Sequence, residues 1–412
     1  LSMSQSVRVP QPVLVASLAC YVDYDFAWRY ALARTNQTWL GMTLDGFPSI
    51  HILGTAKAGT SSLHSFLEQH GVCGCVESTA RLHVDGGSRF PVCHGHKELS
   101  FWYPHSAASV QFYSAEHYAR LFSKAPHQSL NCRAYVDSTP TRTDFPYAPR
   151  QLGRLAAAAG MMPTIRLIAL LREPIERHLS WFNHRLAVPI EWGWHFWKGV
   201  RSICSDLLGR MSPPAGFALT QSALVACELA RWQQSKCSTG DCVVGNCSRA
   251  VACWVRHQRS SPGWLTGGMY APQLAQWRSI FPRRQLLVLP FERLLQDGTV
   301  RTLEFLGLRA TRSAPHQTSA SSQVTWSLPH ENRKASSCKQ ALVHCSIVRS
   351  LGPLYEPWNK VLLEHLQRDR ALGWAPAEEP DFPPFSPPKC TEVWQHPQNL
   401  SVCKGKTSLW ST

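Results

Sequence analysis

The stretch Ser49–Gly54 (SIHILG) constrains what this chain can fold into more than any other. An apolar run ending in glycine reads as a buried strand of a parallel sheet covered by helices. The run closes on Gly54. From Thr60 to His70 the residues Leu63, Phe66 and Leu67 fall on one helical face, and Gly71 supplies the stop. Strand, tight loop, helix is a unit that holds phosphates, because the free amides and the positive dipole end of the helix face the loop.

A second such unit begins at Thr164–Leu171 (TIRLIALL), runs through Arg172-Glu173-Pro174 and continues as a helix to about Leu186. Pro174 suits a first helical turn, where its missing N–H costs nothing. Tyr135–Asp137 reads as a short strand, Pro149–Gly160 as an Ala-rich helix, and Leu286–Leu289 as a buried strand with a helix from Thr299 to Leu306. Strands alternating with helices predict an α/β fold: a P-loop-like central parallel sheet flanked by helices, with ligand at the strand carboxyl ends. No internal repeat is present.

The spacing of these elements divides the chain into an arm (1–48), a domain (49–374) and a Pro-rich tail (375–412). Within the domain, residues 200–262 read as an insert holding Cys204, Cys227, Cys237, Cys242, Cys247 and Cys253. The chain has 15 cysteines and three Asn-x-Ser/Thr sequons (Asn36, Asn246, Asn399), which point to an oxidising, secretory compartment. The insert has no C-x₂-C pair, so disulfides are favoured over zinc, and their pairing does not follow from spacing. No metal site is expected. No stretch is apolar enough to span a membrane. The first residue is Leu1 rather than Met, so an amino-terminal anchor is expected to be missing from this sequence. The formal charge of +15 favours anionic partners. It is spread along the chain without a Lys/Arg-rich run, which argues against nucleic acid.

The loop between the first strand and helix is Gly54-Thr55-Ala56-Lys57-Ala58-Gly59-Thr60-Ser61-Ser62. A nucleotide-triphosphate loop places its lysine after the second glycine. Here Lys57 precedes Gly59 by two residues, which is the wrong order for a kinase or nucleotidase. This G-x-x-K-x-G-T order resembles the 5′-phosphosulfate loop of sulfotransferases that use 3′-phosphoadenosine 5′-phosphosulfate (PAPS). Arg166–Phe182 (RLIALLREPIERHLSWF) resembles the family's 3′-phosphate element. Lys97–Trp102 (KELSFW) is similar to the segment of the heparan-sulfate glucosaminyl sulfotransferases that carries the catalytic glutamate. Asp137-Ser138-Thr139-Pro140 resembles their substrate-side turn. Gly268-Met269-Tyr270 through Trp277 and Pro353–Trp374 resemble their later elements, in the same order.

The resemblance implies a PAPS-dependent sulfotransferase with PAPS as sulfuryl donor and no metal. Lys57 and Glu98 would be catalytic, Glu98 as general base and Lys57 at the departing phosphate. Lys57, Ala58, Gly59, Thr60, Ser61, Ser62, Arg172, Ser180 and Tyr270 would hold the cofactor. Arg333 or Lys334 is the nearest counterpart to the family's late cofactor loop. The implied acceptor is a hydroxyl or amine of a glycan, and the implied location is the Golgi lumen. Two features depart from the pattern: Ser138 stands where the heparan-sulfate enzymes keep a lysine, and the late loop is not clearly present. A small hydroxylated metabolite as acceptor, and an inactive relative that binds anionic glycans, both remain open from sequence.

Overall fold

The computed structural model describes residues 46–75, 82–83, 89–90, 97–99, 115–123, 132–140, 142–187, 217–234, 265–308 and 343–392. In chain order the strands are β1 (Ile50–Gly54), β2 (Val72–Cys73), the short antiparallel pair β3 (Leu82–His83) and β4 (Arg89–Phe90), β5 (Ala134–Asp137), β6 (Arg166–Leu171), β7 (Leu286–Pro290), and the short parallel pair β8 (Val343–His344) and β9 (Cys390–Thr391). The helices are α1 (Thr60–Glu68), α2 (Ala115–Ser123), α3 (Ala148–Ala158), α4 (Pro174–Ala187), α5 (Phe217–Gln234), α6 (Tyr270–Ile280), α7 (Thr299–Phe305) and α8 (Cys345–Ala371).

Five strands form one parallel sheet in the order β2-β5-β1-β6-β7. The largely apolar strands read from the sequence are its centre, and their apolar residues face both ways because each face meets a core. Leu167, Ala169 and Leu171 of β6 join Leu152 and Leu155 of α3, Trp277 of α6 and Trp358 of α8 on one face. Ile168 and Leu170 point the other way, onto Leu63, Phe66 and Leu67 of α1 and Leu303 of α7. Both faces are covered, as the run of apolar residues predicts.

The strand order sets the location of the crevice. From β1 the chain crosses to β2 at one edge of the sheet, and from β6 it crosses to β7 at the other. β1 and β6 are neighbours, so the connections leaving their carboxyl ends run in opposite directions, and ligands of such sheets bind at that switch point.

Three parts differ from the sequence expectation. The segment Pro353–Trp374, singled out by resemblance, falls within and just past a longer helix, α8, that opens at Cys345 and carries Pro353 and Pro357 inside it. Ile347, Leu351, Tyr355, Trp358, Leu362 and Leu366 are buried along it at helical spacing, and this packing outweighs the backbone bonds that the prolines forgo. The insert contains the 18-residue helix α5, whose apolar residues lie on several sides, so no single period stands out. Residues 375–392, read as the start of a tail, are strapped to the domain. Glu379, buried, accepts from Arg283 Nη2 at 2.5 Å and from the Val288 amide of β7 at 2.9 Å. Phe382 and Phe385 pack against the larger core.

Cys345–Cys390 fastens this segment to α8, and Cys73–Cys132 ties β2 to the approach to β5. They close separations of 45 and 59 residues, for which the chain-entropy account gives roughly 4 kcal/mol each. Cys75 and Cys227 are also disulfide-bonded. No helix among the described residues is long and apolar enough to cross a membrane.

Candidate active site

The loop after β1 lies in the crevice between β1 and β6. Its entry is latched when the Thr55 amide donates to the Leu170 carbonyl of β6 at 2.7 Å. Gly54 cannot carry a side chain, because a Cβ there would lie 2.2 Å from the Pro140 carbonyl oxygen. Lys57 adopts φ 73°, a left-handed conformation that a non-glycine residue holds only when its surroundings impose it. Gly59, at φ 84°, leads into α1 with no side-chain cap. The first helical bond runs from the Leu63 amide to the Gly59 carbonyl at 3.0 Å. The amides of residues 59–62 therefore precede the helix's own bonding and face the loop, as an anion requires. Ala58 is fully buried, Thr60 nearly so, and Lys57, Gly59, Ser61 and Ser62 reach the surface in part.

The loop after β6 meets this one. Arg172 Nη1 donates to the Lys57 carbonyl at 3.4 Å. Its guanidinium carbon lies 5.0 Å from the centre of the Phe291 ring, and Nε and Nη2 both donate to Glu176 Oε2 at 3.3 and 3.1 Å. The Phe291 ring also underlies Gly59, where a Cβ would come within 2.9 Å of it. One aromatic ring at the end of β7 thus braces both loops. Tyr270 is buried, and its hydroxyl donates to the Arg172 carbonyl at 2.7 Å. Burial pushes its pKa up. It therefore props the strand end that presents Arg172. Ser180 lies in the second turn of α4, partly exposed.

Glu173 caps α4 by accepting the Glu176 amide at 2.6 Å. Burial raises its pKa from 4.5 to about 7, against the pull of the Glu176 and Ile175 amides. Between those two values the unfolded chain has lost the proton that the folded chain keeps, so stability falls as pH rises through this window. Glu173→Gln is expected to remove that slope. Urea midpoints taken across the window check it, and equal slopes in wild type and variant would reject the assignment.

Glu98 enters from outside the sheet. Lys97 Nζ donates to Glu98 Oε1 at 3.0 Å and to Ser61 Oγ in the first turn of α1 at 2.9 Å. The 97–99 backbone is docked on the turn after β5: the Ser138 amide donates to the Lys97 carbonyl at 3.3 Å, and the Leu99 amide to Thr139 Oγ1 at 2.9 Å. Beneath that turn lies a buried polar knot. Asp137 accepts from Tyr118 Oη at 2.5 Å, Thr139 Oγ1 at 2.7 Å and Arg142 Nη1 at 3.1 Å. Arg142 also reaches His51 Nδ1 at 2.8 Å and the Ile52 carbonyl of β1 at 3.1 Å. Ser138 is fully buried, 2.8 Å from His64 Nδ1.

Lys57–Ser62, Glu98, Arg172 and Tyr270 are linked through these contacts. Arg333 and Lys334 lie outside the described residues. Sequence reading did not single out Lys97, Tyr118, Arg142 or Phe291. Lys97 stood beside Glu98 in the motif, but nothing in the sequence indicates that it reaches α1. Among the described residues no cluster of His, Cys, Asp and Glu fits a metal ion.

No family model matches the chain. It is 22% identical over 275 residues to the bifunctional heparan sulfate N-deacetylase/N-sulfotransferase 1 of Mus musculus, a match covering 65% of this chain and 23% of that protein. The chain is thus similar in sequence to this sulfotransferase. The Caenorhabditis elegans protein of the same name is 27% identical over 152 residues, 36% of this chain and 14% of its own length. The chain thus spans less than a quarter of the length of these relatives. Among solved structures, a sulfotransferase from Alicyclobacillus acidocaldarius aligns with TM-score 0.39 and 17% identity, over 79% of this chain and 98% of that one.

Proposed function

We propose that this protein transfers a sulfuryl group from PAPS to a hydroxyl or amine of a carbohydrate in the secretory pathway. The observation that carries the reading is the meeting of two anion-binding elements at one switch point. The Lys57 loop, with the open amides of α1, is hydrogen-bonded to Arg172 after β6. Such a pair suits a nucleotide with phosphate at both ends. A guanidinium grips a phosphate better than an ammonium because its donors form a planar fork.

Sulfuryl transfer, like phosphoryl transfer, is an in-line displacement governed by positioning and charge. Glu98 takes the acceptor's proton as the acceptor oxygen or nitrogen bonds to sulfur. The bond from sulfur to the 5′-phosphate oxygen breaks, and adenosine 3′,5′-bisphosphate leaves. Lys57 and the amides of α1 neutralise the charge that gathers on that phosphate. The names of the heparan-sulfate relatives support a glycan acceptor. The disulfides support a secretory setting.

The test is label transfer from radiolabelled PAPS to desulfated glycans and to small hydroxylated metabolites. Glu98→Gln should cut transfer at least about a hundredfold while adenosine 3′,5′-bisphosphate still binds. Turnover of ATP without PAPS binding would sink the reading. Glycan binding with no transfer would replace it with the inactive-relative reading.

A further inference from the structure

We infer that Lys97 is a positioning residue that holds the Glu98 carboxylate in register with the first turn of α1, an inference that rests on the function proposed above. Lys97 is 9% exposed, although ammonium groups favour water. Its burial is matched by two partners on different elements, Ser61 Oγ at 2.9 Å and Glu98 Oε1 at 3.0 Å. An ammonium carries three donors and no acceptor, so it can bridge two oxygens that would otherwise have no reason to keep a fixed separation.

The consequences fall on both partners. Ser61 Oγ accepts from Lys97, which leaves its own hydrogen directed away from Lys97 and free for an anion at the loop. The Glu98 carboxylate, with a side chain 32% exposed, is held by one oxygen, so the other is left for an incoming acceptor. The 97–99 backbone is already clamped to Ser138 and Thr139. Lys97 then fixes the remaining side-chain rotation of the base relative to the donor loop. Misplacing a catalytic group by about an ångström costs up to roughly a hundredfold in rate.

The test compares wild type with Lys97→Met, Ser61→Ala, Glu98→Gln and the double variant Lys97→Met/Glu98→Gln in the full chain. Donor is radiolabelled PAPS, acceptor is desulfated heparan sulfate, and adenosine 3′,5′-bisphosphate affinity is measured separately. Lys97→Met should lower kcat about tenfold to a hundredfold and leave that affinity unchanged within about threefold. The double variant should be no slower than Glu98→Gln, because a residue acting through Glu98 is silent once Glu98 is gone. Ser61→Ala keeps the charge pair and should show part of the loss, which keeps the test decisive if Lys97→Met folds poorly. Wild-type kcat in Lys97→Met or in Ser61→Ala would overturn the inference. So would losses that multiply in the double variant, or a fall in donor affinity that accounts for the whole effect. A wild type that transfers nothing from PAPS overturns the functional reading and this inference with it. Transfer that is indifferent to Lys97 overturns the inference alone.

Discussion

Lys57→Gly is expected to be more stable than Lys57→Ala by about 1 kcal/mol, while both variants lose sulfuryl transfer by roughly a thousandfold. The two variants remove the same ammonium and the same aliphatic stem, so the stability difference between them isolates the backbone. At φ 73° an alanine Cβ crowds the following carbonyl, and glycine has no Cβ to crowd. Glycine gives back part of the gain through the greater freedom of its unfolded chain. The activity loss has another origin. Lys57 sits at the bend where the loop meets the Arg172 donor, and in the proposed mechanism its charge would answer the charge that develops on the departing phosphate. Urea titration measures the first effect and label transfer from PAPS the second. Transfer within tenfold of wild type in Lys57→Gly would remove Lys57 from the mechanism. An alanine variant as stable as the glycine variant would mean the loop relaxes out of the left-handed conformation.

The second large effect is on folding. Asp137→Asn should cost about 3–5 kcal/mol, because it leaves the fully buried Arg142 guanidinium without its counter-charge. Burial alone would raise the Asp137 pKa. The charge of Arg142, with hydrogen bonds from Tyr118 and Thr139, outweighs it and holds the carboxyl below its ordinary 3.8. A depressed carboxylate contributes stability that is complete above the unfolded value and is lost as pH falls through the folded one. Wild type should therefore lose this contribution only below the ordinary carboxylate range, and the asparagine variant should lack that acid limb. Replacing Asp137 and Arg142 together with apolar residues should recover part of the loss, since both desolvation costs then vanish. Chemical denaturation across pH checks this. An asparagine variant within about 1 kcal/mol of wild type would show that the knot exchanges with water. The same knot carries Thr139, on which the Leu99 amide rests, so damage to it should reach Glu98 as well.

The parts of the fold legible in the sequence are those decided by local pattern. IHIL and LIALL are apolar apart from His51, a pattern that suits strands buried on both faces. Gly59 and Pro174 mark helix entries by chemistry that acts within a few residues. Less legible were β2, α2 and α5. Val72–Cys73 is too short to show any period, and α5 draws its partners from distant parts of the chain: Glu228 accepts the Leu265 amide at 3.1 Å, and Trp232 meets Trp358 edge-on.

The strand–loop–helix unit with a lysine two residues before its glycine is written in the sequence, and so is its likeness to a phosphosulfate loop. Both follow from the order of residues along a short stretch, where chemistry and spacing act together. Tertiary structure alone decided what that loop faces. It set Arg172 against the Lys57 carbonyl, slid Phe291 beneath both loops, and joined Lys97 to Ser61. Residues 36 and 115 positions apart become hydrogen-bond partners only after the sheet has chosen its strand order. That choice is made by the summed burial of two cores, a property no short stretch of the chain carries.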